Sequence, residues 1–261
     1  MIPVGSLVFM AIGAALGIGL PICLACWFVK RYKVQWKTLL VGAGVFILFA
    51  LVLESLVHQL VLKGPSGPAI LGNTWYYALY GGCMAALFEE TGRFVAIKWL
   101  VKDRPAGARN GVGYGIGHGG AEMLLLYGVT MISNLALSAM LNSGQADTLL
   151  AGAPTEAQEQ VQAQFASLQA LGAGSVLLGI WERLSALIVQ LSLSVMVWTA
   201  VRRGGKWMWL LLLAFLLHFL IDAVTVVLAK SASMLAVESI IFAMAVAVGT
   251  IAWKLVKNCR S

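Results

Sequence analysis

The fold class this sequence predicts is all-α: a polytopic membrane bundle of about seven transmembrane helices. Three observations predict it. Hydrophobic residues make up 60% of the chain and charged residues only 11%, at a mean hydropathy of +0.88. A soluble domain carries about 25% charged residues, so this composition belongs in a bilayer. Apolar runs of about 18 residues or more recur along the chain, and lysines and arginines gather in alternate loops between them.

The runs extend from Val4 to Val29, Thr38 to Leu62, Thr74 to Val101, Gly111 to Leu141, Gly174 to Val201, Trp207 to Leu228 and Ala236 to Val256. The first opens on Met1-Ile2-Pro3-Val4, without a basic segment, and is too long for the apolar part of a signal peptide, so it reads as a retained span. The third is interrupted by Glu89-Glu90-Thr91-Gly92-Arg93. The fourth is long for one crossing, which predicts tilt, a kink or an extension beyond the membrane. Between the fourth and fifth lies the long loop 142–173, which has no lysine or arginine but holds Asp147, Glu156 and Glu159. Within it, Pro154-Thr155-Glu156 starts a helix, and Val161, Phe165, Leu168 and Leu171 recur at helical spacing. A short amphipathic helix on the outer surface or over the bundle mouth is expected there. Residues 1–261 read as one transmembrane domain, with the motifs gathered in 74–228.

The basic residues set an orientation. Lys30, Arg31, Lys33 and Lys37 follow the first run; Lys98, Lys102, Arg104 and Arg109 end or follow the third; Arg202, Arg203 and Lys206 follow the fifth; Lys254, Lys257 and Arg260 close the chain. The other loops hold Lys63 and Lys230. Fourteen against two predicts an outside N-terminus and a cytoplasmic C-terminus. The net charge of +7 is therefore a topology signal, and nucleic acid is not an expected partner. Cys23, Cys26, Cys83 and Cys259 read as small apolar packing residues, not a disulfide framework. Trp36, Trp75, Trp207 and Trp209 fall where interfacial anchors belong.

Polar residues inside four runs carry the chemistry. A charged side chain at the bilayer centre costs about 2.5–3.5 kcal/mol on insertion scales, so three within five residues at 89–93 require a use. The fourth run carries His118 and Glu122, the fifth Glu182, Arg183 and Gln190, and the sixth His218 and Asp222. Glu89 with Arg93, His118 with Glu122 and His218 with Asp222 are each four apart, so each pair projects from one helix face. Counted from the cytoplasmic ends at about 1.5 Å per residue, Glu89, His118, Glu122 and His218 share one slab of membrane.

Two chemistries suit such a set. Two histidines and a carboxylate are zinc ligands that leave a position open for water, with Glu89, His118 and His218 as the candidate ligands. Alternatively a carboxylate is general base to water while histidines stabilise the oxyanion. Arg93 would keep Glu89 charged and oriented, and Asp222 would fix the tautomer of His218. Glu182 with Arg183 reads as a structural ion pair, and Glu54 with His58 as an interfacial or structural pair. The glycines of Gly111-Val112-Gly113-Tyr114-Gly115-Ile116-Gly117 follow no strand, which argues against a phosphate loop; glycines four apart instead allow close helix approach.

The order Glu-Glu-x-x-Arg, His-x-x-x-Glu, His-x-x-x-Asp on three runs resembles the YhfC family of intramembrane metalloproteases, which is similar to the wider CPBP group of CAAX prenyl proteases and PrsW proteases. The resemblance covers about 75–226. It implies a membrane-embedded endopeptidase with Glu89 as the water-activating base, Glu90 beside it, and His118 and His218 completing the core of the site. The two residues between Glu90 and Arg93 are one fewer than the CAAX spacing, which points away from prenyl-protein processing. The expected substrate is a membrane peptide or protein, and the expected location the bacterial cytoplasmic membrane. The alternative is a proton- or cation-coupled transporter using the same buried ionisable groups.

Overall fold

The computed structural model describes residues 1–105, 107–145 and 154–258. Among these there is no strand, and nine helices, α1–α9, follow one another. They are α1 (Val4–Tyr32), α2 (Trp36–Leu62), the short α3 (Gly67–Leu71), α4 (74–100), α5 (Ala108–Asn142), α6 (Thr155–Ala170), α7 (Ala173–Arg203), α8 (Trp209–Ser231) and α9 (Met234–Asn258). Each long run read from the sequence is thus a helix, with ends shifted by three residues or fewer. Cys259, Arg260 and Asp147 lie outside the described residues; Cys23, Cys26 and Cys83 are free, and Cys23 is exposed instead of packed.

Six of these helices, α1, α2, α5, α7, α8 and α9, are long and apolar enough to cross a membrane. The expected seventh, α4, is not among them, because Glu89, Glu90, Arg93 and Lys98 join its tyrosine-rich start in lowering its hydropathy. It nevertheless runs from one end of the bundle to the other. At one end Arg104 donates to Gln35, Arg202 donates to the Lys102 carbonyl (2.7 Å), and Lys37 lies 4.0 Å from Asp103. The α1–α2, α4–α5 and α7–α8 connections meet there with their basic residues. At the opposite end the Ile2 N–H donates to Asn142 Oδ1 (2.7 Å) and Ser6 to the Leu171 carbonyl (2.9 Å). Trp75, opening α4, lines a groove with Leu228 near the end of α8.

The helix α7 is central. Buried residues make up 72% of its most apolar stretch, against 22–28% for the other five spans, and it packs on α5, α8 and α9. Apolar residues of those other spans, such as Ile22, Leu40, Val52, Leu212 and Trp253, face outwards, as a bilayer requires.

Close helix crossing is what the glycine run of α5 accomplishes. A Cβ on Gly117 would lie 1.9 Å from the Leu39 carbonyl oxygen, and one on Gly42 2.3 Å from that of Tyr114, so α2 and α5 touch backbone to backbone. Gly111, Gly115 and Gly119 face α7 instead, against Trp198, Leu191 and Gln190. Glycine at alternate positions thus opens two faces of one helix, and His118 sits between them.

Three helices widen into π-helical turns: α2 over Phe46–Glu54, α4 over Ala96–Leu100 and α5 over Met123–Gly128. An extra residue per turn rotates the following face, a device common beside functional sites. The turn in α5 begins directly after Glu122, within a helix of 35 residues. The expected amphipathic helix is α6, which buries Phe165 and Leu168.

Candidate active site

The two glutamates of α4 are buried, with 6% of Glu89 and 2% of Glu90 exposed, and Arg93 is wholly buried one turn later. The four-residue spacing of Glu89 and Arg93 brings them together: Arg93 Nη2 donates to Glu89 Oε2 (3.0 Å), and its guanidinium also donates to Glu90 and to the side-chain amide oxygen of Gln190. One buried guanidinium thus lies between two buried carboxyl groups, the kind of pairing that charge at this depth requires.

Each glutamate then holds one histidine from another helix. His118 Nε2 of α5 donates to Glu89 Oε2 (2.8 Å), and His218 Nδ1 of α8 donates to Glu90 Oε1 (2.8 Å). The ring of His118 is enclosed by Tyr114, stacked with centroids 6.2 Å apart, and by the edge of Phe46 at 5.4 Å. Gln190 of α7 ties the halves together, donating from Nε2 to Glu89 Oε2 (3.1 Å) and to Glu122 Oε2 (2.6 Å). Arg183 Nη1 approaches the other oxygen of Glu122 at 3.5 Å and pairs with Glu182.

These groups border a cavity of about 140 Å³ in the bundle, lined by Glu89, Glu122, Glu182, Arg183, Gln190, His218 and Asp222, with Ile221, Thr225 and Ile241 among its apolar and neutral walls. At about 30 Å³ per water it has room for roughly four or five. Glu89 and His218 line it; Glu90 and His118 stand behind them.

All seven site residues read from the sequence therefore meet in one region, with two rearrangements of the expected pairings. Asp222 was expected to orient His218, and its Oδ2 does pair with Nε2, at 3.5 Å and from a side chain that is 38% exposed. Glu90 makes the close contact, because the α4–α8 packing brings Nδ1 onto it. The second concerns zinc. The donor types of Glu89, His118 and His218 suit it, but the arrangement does not. Among the described residues no three His, Cys, Asp or Glu side chains group as a metal site. His118 Nε2 is turned onto Glu89, His218 Nδ1 onto Glu90, and the Arg93 cation lies within hydrogen-bond distance of both glutamates. No step below passes through a metal.

Gln190, Glu182 and Arg183 belong to the site beyond what spacing indicated. Gln190 was visible only as one amide in an apolar run, with no partner four residues away. The carboxylate of Glu238 in α9 is buried too, and a single acidic residue early in the last run was its one signal. Glu54 and His58 form a separate cluster, in which His58 bonds Glu54 (3.1 Å) and Tyr80 (2.9 Å).

Residues 16–248 match the family described as YhfC intramembrane metalloprotease. The chain is 34% identical over 224 residues to the "Uncharacterized membrane protein YhfC" of Bacillus subtilis (strain 168), covering 85% of this chain and 84% of that one. No solved structure matches. With the family match spanning all nine helices in whole or part, this integral membrane protein belongs to the YhfC family.

Proposed function

We propose that the chain is an intramembrane endopeptidase in which Glu89 activates water against a scissile amide. The observation that carries this reading is that Glu89 and His218, 129 positions apart, line one cavity inside the bundle while their partners His118 and Glu90 hold each from behind. Water in the cavity gives a proton to Glu89 as its oxygen attacks the carbonyl carbon. An imidazolium His218, donating Nδ1–H to Glu90, presents Nε2–H to the oxyanion. Glu89 then passes its proton to the amide nitrogen, the C–N bond breaks, and an acid and an amine leave. Arg93, Gln190 and His118 hold the carboxylate of Glu89 in place throughout and are positioning residues.

Seven crossings, α4 included, with the basic end cytoplasmic, form part of the same proposal, as does one transmembrane domain over 1–261. They are supported by the meeting of the three basic connections at one end. The bacterial cytoplasmic membrane is the location that suits it.

The test is to reconstitute the purified chain into vesicles with bacterial membrane proteins and map new N-termini by mass spectrometry. Termini present with wild type and absent with Glu89→Gln and His218→Ala are expected; an identical set with all three would end the proposal. A transporter reading draws on the four carboxylates of the cavity, Glu89, Glu122, Glu182 and Asp222. Cation flux lost in the same variants, with no new termini, would establish it.

A further inference from the structure

A second cavity, of about 400 Å³, opens at the basic end of the bundle, remote from the glutamates. Its walls are the α1–α2 turn (Tyr32, Lys33, Val34, Gln35), the start of α5 (Gly107, Ala108, Arg109, Asn110) and Val256 of α9. Among the described residues no acidic side chain lines it. Lys33 and Arg109 stand at its border, both exposed, and among the described residues neither pairs with a carboxylate. Asp103 is the acid nearby, and Arg104 and Lys37 already engage it.

The backbone of Lys33 and the guanidinium of Arg109 are held in place. Lys33 is the one non-glycine residue with positive φ among the described residues (φ 58°), ending α1 in a left-handed cap with its N–H on the Val29 carbonyl at 3.0 Å. Arg109 lies over the ring of Tyr32, 5.0 Å from its centroid. A cation stacked on an aromatic face loses less freedom on meeting an anion than a free surface arginine does.

Helices α1, α2 and α5 also leave an apolar groove of about 340 Å³ that includes Pro21, Ile22, Ala25, Trp36, Leu39 and Leu40. Trp36 follows Gln35 directly, so a cationic cavity and an apolar groove begin at adjacent residues of the chain. An anion with an apolar tail matches both, and basic pockets between transmembrane helices suit phosphate headgroups.

We propose that this cavity binds a phosphate group, that of an anionic phospholipid, through Lys33 and Arg109. The proposal does not depend on the peptidase reading.

The experiment is native mass spectrometry of the detergent-purified full chain with dioleoylphosphatidylglycerol, dioleoylphosphatidylcholine or inorganic phosphate. Wild type should retain phosphatidylglycerol over phosphatidylcholine. The double variant Lys33→Gln/Arg109→Gln should lose about thirtyfold in phosphatidylglycerol affinity, at about tenfold or less per removed charge. Arg109→Lys keeps the charge and should retain most of the binding, which separates loss of the site from loss of the fold. Lys254→Gln, near the same end but outside the cavity, should bind as wild type does. Equal retention of both lipids by wild type, or unchanged retention by the double variant, would overturn the proposal. Phosphate adducts that depend on Lys33 and Arg109 without lipid retention would overturn the lipid as the source of the phosphate.

Discussion

His118 Nε2 lies 2.8 Å from Glu89 Oε2, although the residues are 29 positions apart on successive helices, α5 and α4. That contact depends on the backbone crossing at Gly117 and Leu39, which brings α5 close enough to α2 to fix the depth and rotation of its histidine. Glu89 receives hydrogen bonds from three helices' side chains, through Arg93, His118 and Gln190. A carboxylate held by three donors has one orientation open to it, and the cavity that Glu89 lines lies in that direction.

Removing the imidazole that orients Glu89 should slow the reaction without emptying the cavity of its reacting groups. His118→Ala is expected to lower the rate of product formation about 10–100-fold, the usual cost of losing an orienting partner. His118→Gln, whose amide can still donate to Glu89, should recover part of it. The comparison is the initial rate of new N-terminus formation at saturating substrate, with thermal melting as the control on folding.

Arg93 is where stability is concentrated. Its guanidinium has no exposed surface and answers two buried carboxylates. Arg93→Ala leaves Glu89 and Glu90 facing each other's charge in the bundle, at a cost of about 3–5 kcal/mol. Detergent unfolding should show that loss, and adding Glu90→Gln to Arg93→Ala should restore part of it. A single variant as stable as wild type would mean the three groups are not ionised together.

Gly117→Ala tests the helix crossing. Its methyl would enter the Leu39 carbonyl at 1.9 Å, a backbone contact that only helix separation relieves. A loss of about 1–3 kcal/mol is expected, with activity falling in step as His118 moves off Glu89. Gly19→Ala in α1, where a Cβ meets nothing within 4 Å, should be neutral or slightly stabilising.

Zinc content distinguishes the two chemistries that suit this set of side chains. With His118 and His218 each turned onto a glutamate and Arg93 between them, the protein purified without chelator should carry well under one zinc per chain. His118→Ala should leave that figure unchanged. One zinc per wild-type chain, lost in His118→Ala, would show that the pairs part to take up the metal, and plasma mass spectrometry of both proteins decides it.

The i, i+4 spacings of Glu89 with Arg93 and His118 with Glu122 were legible because one helix sets them, and a helix keeps its 3.6-residue turn whatever surrounds it. The long apolar runs and the basic loops were legible for a similar reason: burial of backbone polar groups in a bilayer leaves few solutions. The exchange of Asp222 for Glu90 as the close partner of His218 was not, nor was the entry of Gln190 and Arg183 into the site. Those depend on how far each helix is rotated about its axis, which the glycine contacts and π-helical turns decide.

By itself, then, the sequence determined the membrane-bundle class, the helices, their basic end and the six ionisable residues of the three motifs together with Glu90. Hydropathy and single-helix geometry suffice for these. Only the tertiary structure decided that Glu89 and His218 face the cavity while Glu90 and His118 stand behind, and that the two histidines read as zinc ligands each turn onto a glutamate that also pairs with Arg93. Which atom meets which across helices is set by packing over distances of a few ångströms, and a one-dimensional pattern of residue types does not contain those distances.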